Sequence, residues 1–136
     1  MTEPPLKILV IKSKTSELQS VERFLEKIFL QYNISSEYFN KIYLCLSEAV
    51  TNAIVHGHGS NETKEIKVNV EYNNCNLSIT VTDEGEGFDL TKVPDPTKRE
   101  NLKKESGRGI HIIRSISDKV LYNDKGNSLH FKICCE

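Results

Sequence analysis

The sequence predicts an α+β fold, a two-layer sandwich in which helices cover one face of a mixed, mostly antiparallel sheet. Apolar residues recur at helical spacing in two segments of the N-terminal half and in one segment near the C-terminus. Between and after these segments, apolar and polar residues alternate as in half-buried strands. The resulting order is β-α-α-β-β-loop-α-β-β. At 136 residues the chain predicts one domain, 1–136, with a sizeable core.

The N-terminal part predicts a strand and then a helix. Residues 6–12, with the sequence Leu-Lys-Ile-Leu-Val-Ile-Lys, follow two prolines and precede a Ser-Lys pair, as expected for a short strand. Thr15 or Ser16 is the expected N-cap of the first helix, which carries apolar residues at helical spacing to about Tyr32. Asn33 interrupts it.

The second helix carries a row of polar side chains. It is expected to begin at a cap formed by Ser35 or Ser36 and to end at Gly57. Its polar row consists of residues spaced four apart: Glu48, Asn52 and His56. Its apolar residues fall on roughly the opposite side: Phe39, Ile42, Leu46, Ala49, Val50 and Ala53.

This row brings a carboxylate, an amide and an imidazole to one face. Helical rise separates Glu48 and Asn52 by about 6 Å along the axis, which allows one to act as a base while the other holds a metal-bound ligand. A solvated surface is the alternative interpretation. His56 either lines the same pocket or interacts with the last carbonyls of the helix.

The C-terminal half predicts two hairpins separated by a long loop and a helix. Alternation at residues 65–71 and 77–81, around 72–76, predicts the first hairpin, and 119–122 with 128–134 predict the second. Residues 90–107 are rich in Pro, Lys, Asp and Glu, and we expect them to form a functional lid loop.

Two glycine-bearing segments flank this loop. Asp83 precedes Gly85 and Gly87. The carboxylate is suited to accept a hydrogen bond from adenine, and the two glycines leave room for a flat base. The second segment, 107–109, has the sequence Gly-Arg-Gly and opens a helix, which suits a phosphate site at a helix N-terminus. Arg108 is able to add a charge-assisted contact to the terminal phosphate. The alternative for the Asp83 segment is a surface turn, and the alternative for 107–109 is a simple helix cap.

Composition narrows the function further. Charged residues make up 27% of the chain and the net charge is -1, which argues against general binding of nucleic acid or an anionic membrane. The apolar run at 8–11 is too short for a transmembrane helix or a signal sequence, and we expect a cytoplasmic protein. The four cysteines have no metal-site spacing and are expected to be free thiols: Cys45, Cys75, Cys134 and Cys135.

In series, three segments resemble the ATP-binding domain shared by DNA gyrase, histidine kinases and MutL-type repair proteins, the GHKL ATPases. The segments are EAVTNAIVHG at 48–57, DEGEGFD at 83–89 and SGRGI at 106–110. Within that group the chain is most similar to the small anti-sigma factor serine/threonine kinases of bacterial partner-switching systems.

The resemblance implies a role for each matching residue. Glu48 matches the general base, Asn52 the ligand of the magnesium that bridges the phosphates, and Asp83 the adenine-reading aspartate. Ser128 lies where the family commonly has a threonine near the adenine. Further matches line the base or the phosphates: Gly85, Gly87, Gly107, Arg108 and Gly109.

The resemblance also implies ATP and Mg²⁺ as cofactors and phosphorylation of an anti-sigma-factor antagonist on serine or threonine. A serine hydroxyl has a proton to remove and needs a base such as Glu48, whereas histidine-kinase domains typically lack one there. A sigma factor is the implied second partner, and dimerisation is common in the family. A nucleotide-gated binding module without kinase activity and a stand-alone ATPase are the alternatives.

Overall fold

Five strands form one antiparallel sheet in the computed structural model, which describes residues 6–57, 64–83, 108–122 and 128–135. The spatial order is β1-β2-β3-β5-β4, and each described pairing is antiparallel. The predicted mixed sheet is therefore antiparallel in every described pairing. The strands are β1 (Leu6–Lys12), β2 (Glu65–Asn73), β3 (Asn76–Asp83), β4 (Lys119–Tyr122) and β5 (Ser128–Cys134).

In the described parts of the chain, three α-helices cover one face of this sheet. They are α1 (Leu18–Tyr32), α2 (Phe39–Asn52) and α3 (Arg108–Ile116). Along β3 and β5, buried and partly exposed residues alternate, so one face of each strand packs against the helices. Phe131 is the largest fully buried side chain of this layer. The predicted two-layer α+β fold is confirmed.

Helices α1 and α2 run in opposite directions along the sheet. One sheet end carries Asp83, and the other carries the β2–β3 turn. The ring of Tyr32, at the end of α1, lies 5.2 Å from that of Tyr72, beside this turn. The ring of Phe39, which begins α2, lies 5.2 Å from that of Phe29 in α1. Helix α2 therefore starts at the turn end and runs toward the end that carries Asp83.

Helix α3 runs against α2. It is followed by Asp118, whose amide donates to the Lys132 carbonyl and whose carboxylate accepts from the Cys134 amide, both at 2.8 Å. Those contacts fix the end of α3 beside the C-terminal end of β5, at the turn end of the sheet. Nine residues of helix rise about 13 Å, so the first turn of α3 lies toward the end that carries Asp83.

The ends of α1 and α2 differ in part from the prediction. Asn33 adopts a left-handed backbone (φ 54°) and ends α1, as expected. Ser35 caps the 3₁₀ turn Ser36–Tyr38 that precedes α2, since its hydroxyl accepts from the Glu37 amide at 3.4 Å, while Tyr38, which precedes α2 directly, makes no side-chain cap bond. The predicted cap at Thr15 or Ser16 is wrong: these residues lie in a 3₁₀ turn before α1 without a side-chain cap bond.

Ser35→Ala is expected to lower the free energy of unfolding by about 1 kcal/mol because it removes the acceptor for the Glu37 amide. Ser36→Ala, which alters the neighbouring hydroxyl inside the 3₁₀ turn, is the matched control and should change stability by a few tenths of a kcal/mol. Urea unfolding measures both variants. Equal losses in the two would show that Ser35 has no capping role.

Two local features depart from regular geometry. The predicted helix to Gly57 is α-helical only to Asn52 and continues as a π-helical turn over Ala53–Gly57. The first hairpin closes over Asn74 and Cys75 alone, both with positive φ (52° and 64°), so its turn is shorter than the predicted 72–76. The lid at 90–107 and the predicted turn at 123–127 lie outside the described residues.

Among the helices that the structure describes, none combines the length and the apolar content that crossing a bilayer requires.

Candidate functional site

The last turn of α2 buries a polar side chain. Asn52 is only 9% exposed, although its neighbours in the core are apolar. Its Nδ2 is fully buried and finds no hydrogen-bond acceptor among the described residues. An unpaired buried amide nitrogen destabilises a fold by about 1–3 kcal/mol, so this position calls for a functional explanation.

Glu48 lies one turn before Asn52 and is half-buried. Cys45, Glu48 and Asn52 share one side of α2 because they are spaced by three and four residues. The Cys45 thiol lies near Ser117, directly after α3, which lowers the pKa of the thiol. The side that carries Glu48 and Asn52 is therefore turned toward α3, and α2 packs against that helix.

The Cys45 thiol beside Glu48 is neutral near pH 7. Burial raises its pKa to about 11; Ser117 and Lys41 lower it, and the Glu48 carboxylate raises it. Sequence reasoning did not include Cys45 among the site-facing residues. Its spacing of three residues from Glu48 was the available signal.

Asp83 ends β3 and is 8% exposed. It continues the buried alternation of β3 and so faces the helix layer. The π-helical turn after Asn52 packs on β3. The structure thus brings the end of α2, the end of β3 and the first turn of α3 to the same end of the sheet, on the same face.

Ser128 begins β5 and pairs with Thr82, the residue before Asp83. Its hydroxyl lies 3.0 Å from that of Thr82. Both side chains belong to the face away from the helices, since Asp83 and Leu129 belong to the buried face. This corrects the prediction for Ser128: its hydroxyl lies beside that of Thr82, on the other side of the sheet from the Asp83 carboxylate.

Other predicted site residues are described only in part. His56 belongs to the π-helical turn, so the four-residue spacing that aligned it with Asn52 on an α-helix does not apply. The backbones of Arg108 and Gly109 open α3, as the prediction of a helix N-terminus at this point requires. The glycines Gly85, Gly87 and Gly107 lie outside the described residues.

The described residues fit a magnesium-bound nucleotide. Asn52 supplies an amide with an unpaired buried atom, and the oxygen and nitrogen of such an amide exchange places by a simple flip. Amide oxygens are suitable ligands for hard cations. Asp83 supplies a buried carboxylate, and the first turn of α3 supplies amides for an anion. Among the described residues, no three His, Cys, Asp or Glu side chains form a metal site by themselves.

Comparison with known sequences gives the family. The sequence profile of the histidine kinase-like ATPase domain matches residues 11–133. The chain belongs to the histidine kinase-like ATPase domain family. The predicted resemblance to GHKL ATPases is confirmed, and family membership indicates ATP as the ligand.

Several curated relatives in this family have regulatory names. An anti-sigma F factor of Clostridium botulinum is 37% identical over 93 residues, which cover 64% of this chain and 64% of that protein. The serine-protein kinase RsbW of Oceanobacillus iheyensis is 32% identical over 97 residues, 67% of this chain and 61% of that protein. An anti-sigma F factor of Geobacillus stearothermophilus is 30% identical over 127 residues, 88% and 86% respectively. The chain spans less than two thirds of the length of the first two relatives.

A solved structure shares the fold. The crystal structure of the RsbU and RsbW domains of a Mycobacterium tuberculosis protein aligns with 97% of this chain and 32% of its own, with a TM-score of 0.66. Sequence identity in that alignment is 13%, so the likeness concerns the fold alone.

Proposed function

We propose that this chain is an ATP-binding anti-sigma regulatory factor that phosphorylates an anti-sigma-factor antagonist on serine or threonine. The observation that carries the proposal is the unpaired buried amide of Asn52 one helical turn after the half-buried Glu48, in a family of ATP-binding domains. The names of the relatives, anti-sigma F factor and serine-protein kinase, support both halves of the proposal.

Glu48 acts as the general base. A serine hydroxyl becomes a competent nucleophile toward a phosphoryl group as its proton is withdrawn, and a carboxylate at hydrogen-bond distance accepts that proton. The position of Glu48 supports this role because it is half-buried and turned toward α3, where a nucleotide between the two helices would present its phosphates. A fully solvated carboxylate would exchange protons with water instead.

Asn52 holds the magnesium ion through its side-chain oxygen after the amide flip. Magnesium, when bound, would neutralise the negative charge that develops during phosphoryl transfer. The burial of Asn52 supports this role, since a ligand fixed by the packing around it needs little ordering when the ion binds.

Asp83 reads the adenine, and the α3 N-terminus receives the phosphates. A buried carboxylate accepts a hydrogen bond from the exocyclic amine of adenine, which guanine does not present at the same place. The amides that open α3 and the Arg108 guanidinium favour anions. In this arrangement the state of the nucleotide biases whether a sigma factor or the antagonist is held.

The proposal is tested by incubating the purified chain with radiolabelled Mg-ATP and a purified antagonist of an anti-sigma factor from the same bacterium. Label on a serine or threonine of the antagonist is the expected result. Phosphate release without protein labelling would indicate a stand-alone ATPase, and nucleotide-dependent capture without labelling would indicate a binding module. Either result would contradict kinase activity.

Nucleotide binding is tested separately by thermal unfolding. ATP with magnesium at 100 times its dissociation constant is expected to stabilise the fold by about 2.7 kcal/mol. GTP, whose ring offers no amine opposite Asp83, is the matched ligand and should stabilise it less at the same concentration. A melting temperature unchanged by ATP would contradict the nucleotide site itself.

A further inference from the structure

Three of the four cysteines lie together at the turn end of the sheet. Cys75 lies in the β2–β3 turn, while Cys134 ends β5 and is followed by Cys135. The β3–β5 register pairs Asn76 with Cys134, so that one residue further along Cys75 faces Cys135. A main-chain hydrogen bond supports this pairing: the Cys135 amide donates to the Cys75 carbonyl at 2.7 Å.

The side chains of Cys75 and Cys135 lie on the same side of the sheet. Cys135 continues the buried alternation of β5, is 7% exposed and so faces the helix layer, whereas Cys134 belongs to the other face. Tyr72 also belongs to the helix-facing side, where its ring contacts that of Tyr32. Burial, and after it the neighbouring Cys75 and Cys135 thiols, raise the pKa of Tyr72, which places both thiols near this side chain.

The spacing of such a pair suits a disulfide. The main-chain bond from the Cys135 amide to the Cys75 carbonyl extends the ladder by one pair beyond β3. Directly opposed residues of an antiparallel ladder have Cα atoms about 4.5–5.5 Å apart, within the range of about 4.4–6.8 Å that disulfides span. Both thiols are free in the structure. The described cysteines at this end are not part of a group able to hold a metal ion.

We propose that Cys75 and Cys135 are an oxidation site that closes to an intramolecular disulfide on reaction with a hydroperoxide. The two thiols differ in their exposure to solvent: Cys75 is exposed, and Cys135 is buried. This difference assigns the order of the two steps, because the oxidant reaches Cys75 first and the protected Cys135 remains a thiol that can attack it.

Both steps balance with hydrogen peroxide as the oxidant. The Cys75 thiolate attacks one peroxide oxygen, the O–O bond breaks, and the sulfur becomes a sulfenic acid while the other oxygen leaves as water after protonation. The Cys135 sulfur, having lost its proton, then attacks the Cys75 sulfur. An S–S bond forms, the S–O bond breaks, and a second water leaves. Two thiols and one peroxide give one disulfide and two waters, and an external dithiol reverses the closure.

The experiment treats the full chain with hydrogen peroxide and compares its intact mass, thiol number and non-reduced peptides before and after. The four cysteines should react as two free thiols after treatment, with a mass lower by about 2 Da and a peptide pair that joins Cys75 to Cys135. Dithiothreitol should restore the original mass. A Cys75–Cys134 link, a link between two chains or a sulfinic acid without a link would each overturn the proposal.

Two variants sharpen this test. Cys75→Gly removes the exposed thiol at a backbone position (φ 64°) that glycine favours, so it is expected to fold and to lose the disulfide. Cys134→Ser changes the neighbouring cysteine on the other face and is the matched control, expected to form the disulfide as the unaltered chain does. A disulfide that persists in Cys75→Gly, or disappears in Cys134→Ser, would assign the bond to another pair.

The rate of closure gives an independent check on the attacking group. Burial, above all other causes, raises the pKa of Cys135 to about 11, so its thiolate fraction increases about tenfold for each pH unit through the neutral range. The decay of the Cys75 sulfenic acid is measured by trapping it with a dione reagent at successive times. Its rate should increase about tenfold for each pH unit. Decay that does not depend on pH would show that Cys135 is not the attacking thiol.

Discussion

Glu48→Gln is expected to lower the rate of phosphoryl transfer to the antagonist by about 10²–10⁴-fold, the usual contribution of a general base. Glutamine keeps the shape and the half-buried position of the side chain but cannot accept the serine proton. ATP affinity should remain within about twofold because the base acts on the acceptor hydroxyl and not on the nucleotide. Single-turnover labelling and calorimetry measure the two quantities separately.

Glu26→Gln is the matched control for this variant. Glu26 is an exposed glutamate on α1, away from the α2–α3 side that carries Glu48. The same substitution there should leave both the labelling rate and ATP affinity unchanged. Labelling that survives Glu48→Gln at the unaltered rate would remove Glu48 from the chemistry, and a joint loss of labelling and ATP binding would assign it to nucleotide binding instead.

Asn52→Ala is expected to weaken nucleotide binding in the presence of magnesium by at least about 10–100-fold, with little change in stability. The substitution removes a side chain that holds the ion, but it also removes an amide nitrogen buried without a partner among the described residues. Removing the unpaired amide nitrogen stabilises the fold by about 1–3 kcal/mol, which offsets the stability lost with the packing contacts of the side chain. We therefore expect the free energy of unfolding of the nucleotide-free protein to change by less than about 1 kcal/mol.

Asn40→Ala is the control on the same helix, because Asn40 is exposed near the start of α2. It should bind nucleotide as the unaltered chain does. Calorimetry with and without magnesium tests the metal role directly. Equal affinity of the unaltered protein under the two conditions would show that Asn52 holds no metal, and a large loss of stability in Asn52→Ala would show that its amide is structural.

The fold was predictable because its strands are half-buried. One face of β2, β3 and β5 packs on helices, so apolar and polar residues must alternate, and this alternation can be recognised without a structure. The same alternation also predicts which face of the sheet carries Ser128. Leu129, Phe131 and Ile133 are the buried set, which assigns Ser128 to the outer face. The prediction that Ser128 lies near the adenine rested on the family resemblance alone and did not use the alternation of buried and exposed residues along β5.

The helix ends were less predictable. A serine or threonine before an apolar segment marks a cap only if the backbone there is extended, and Thr15 and Ser16 instead lie in a 3₁₀ turn. The burial of Asn52 also exceeded what a polar helix row suggests. Its position depends on the packing of α2 against both the sheet and α3, which local spacing does not contain.

The π-helical turn after Asn52 behaves as a one-residue insertion in an otherwise ordinary helix. Deleting one residue from Ala53–Gly57 would convert the π-helical turn into an α-helical one, and the end of the helix would change direction little because the wider turn already absorbs the extra residue. Homologues that are one residue shorter here should therefore keep the same register between β2 and its two neighbours.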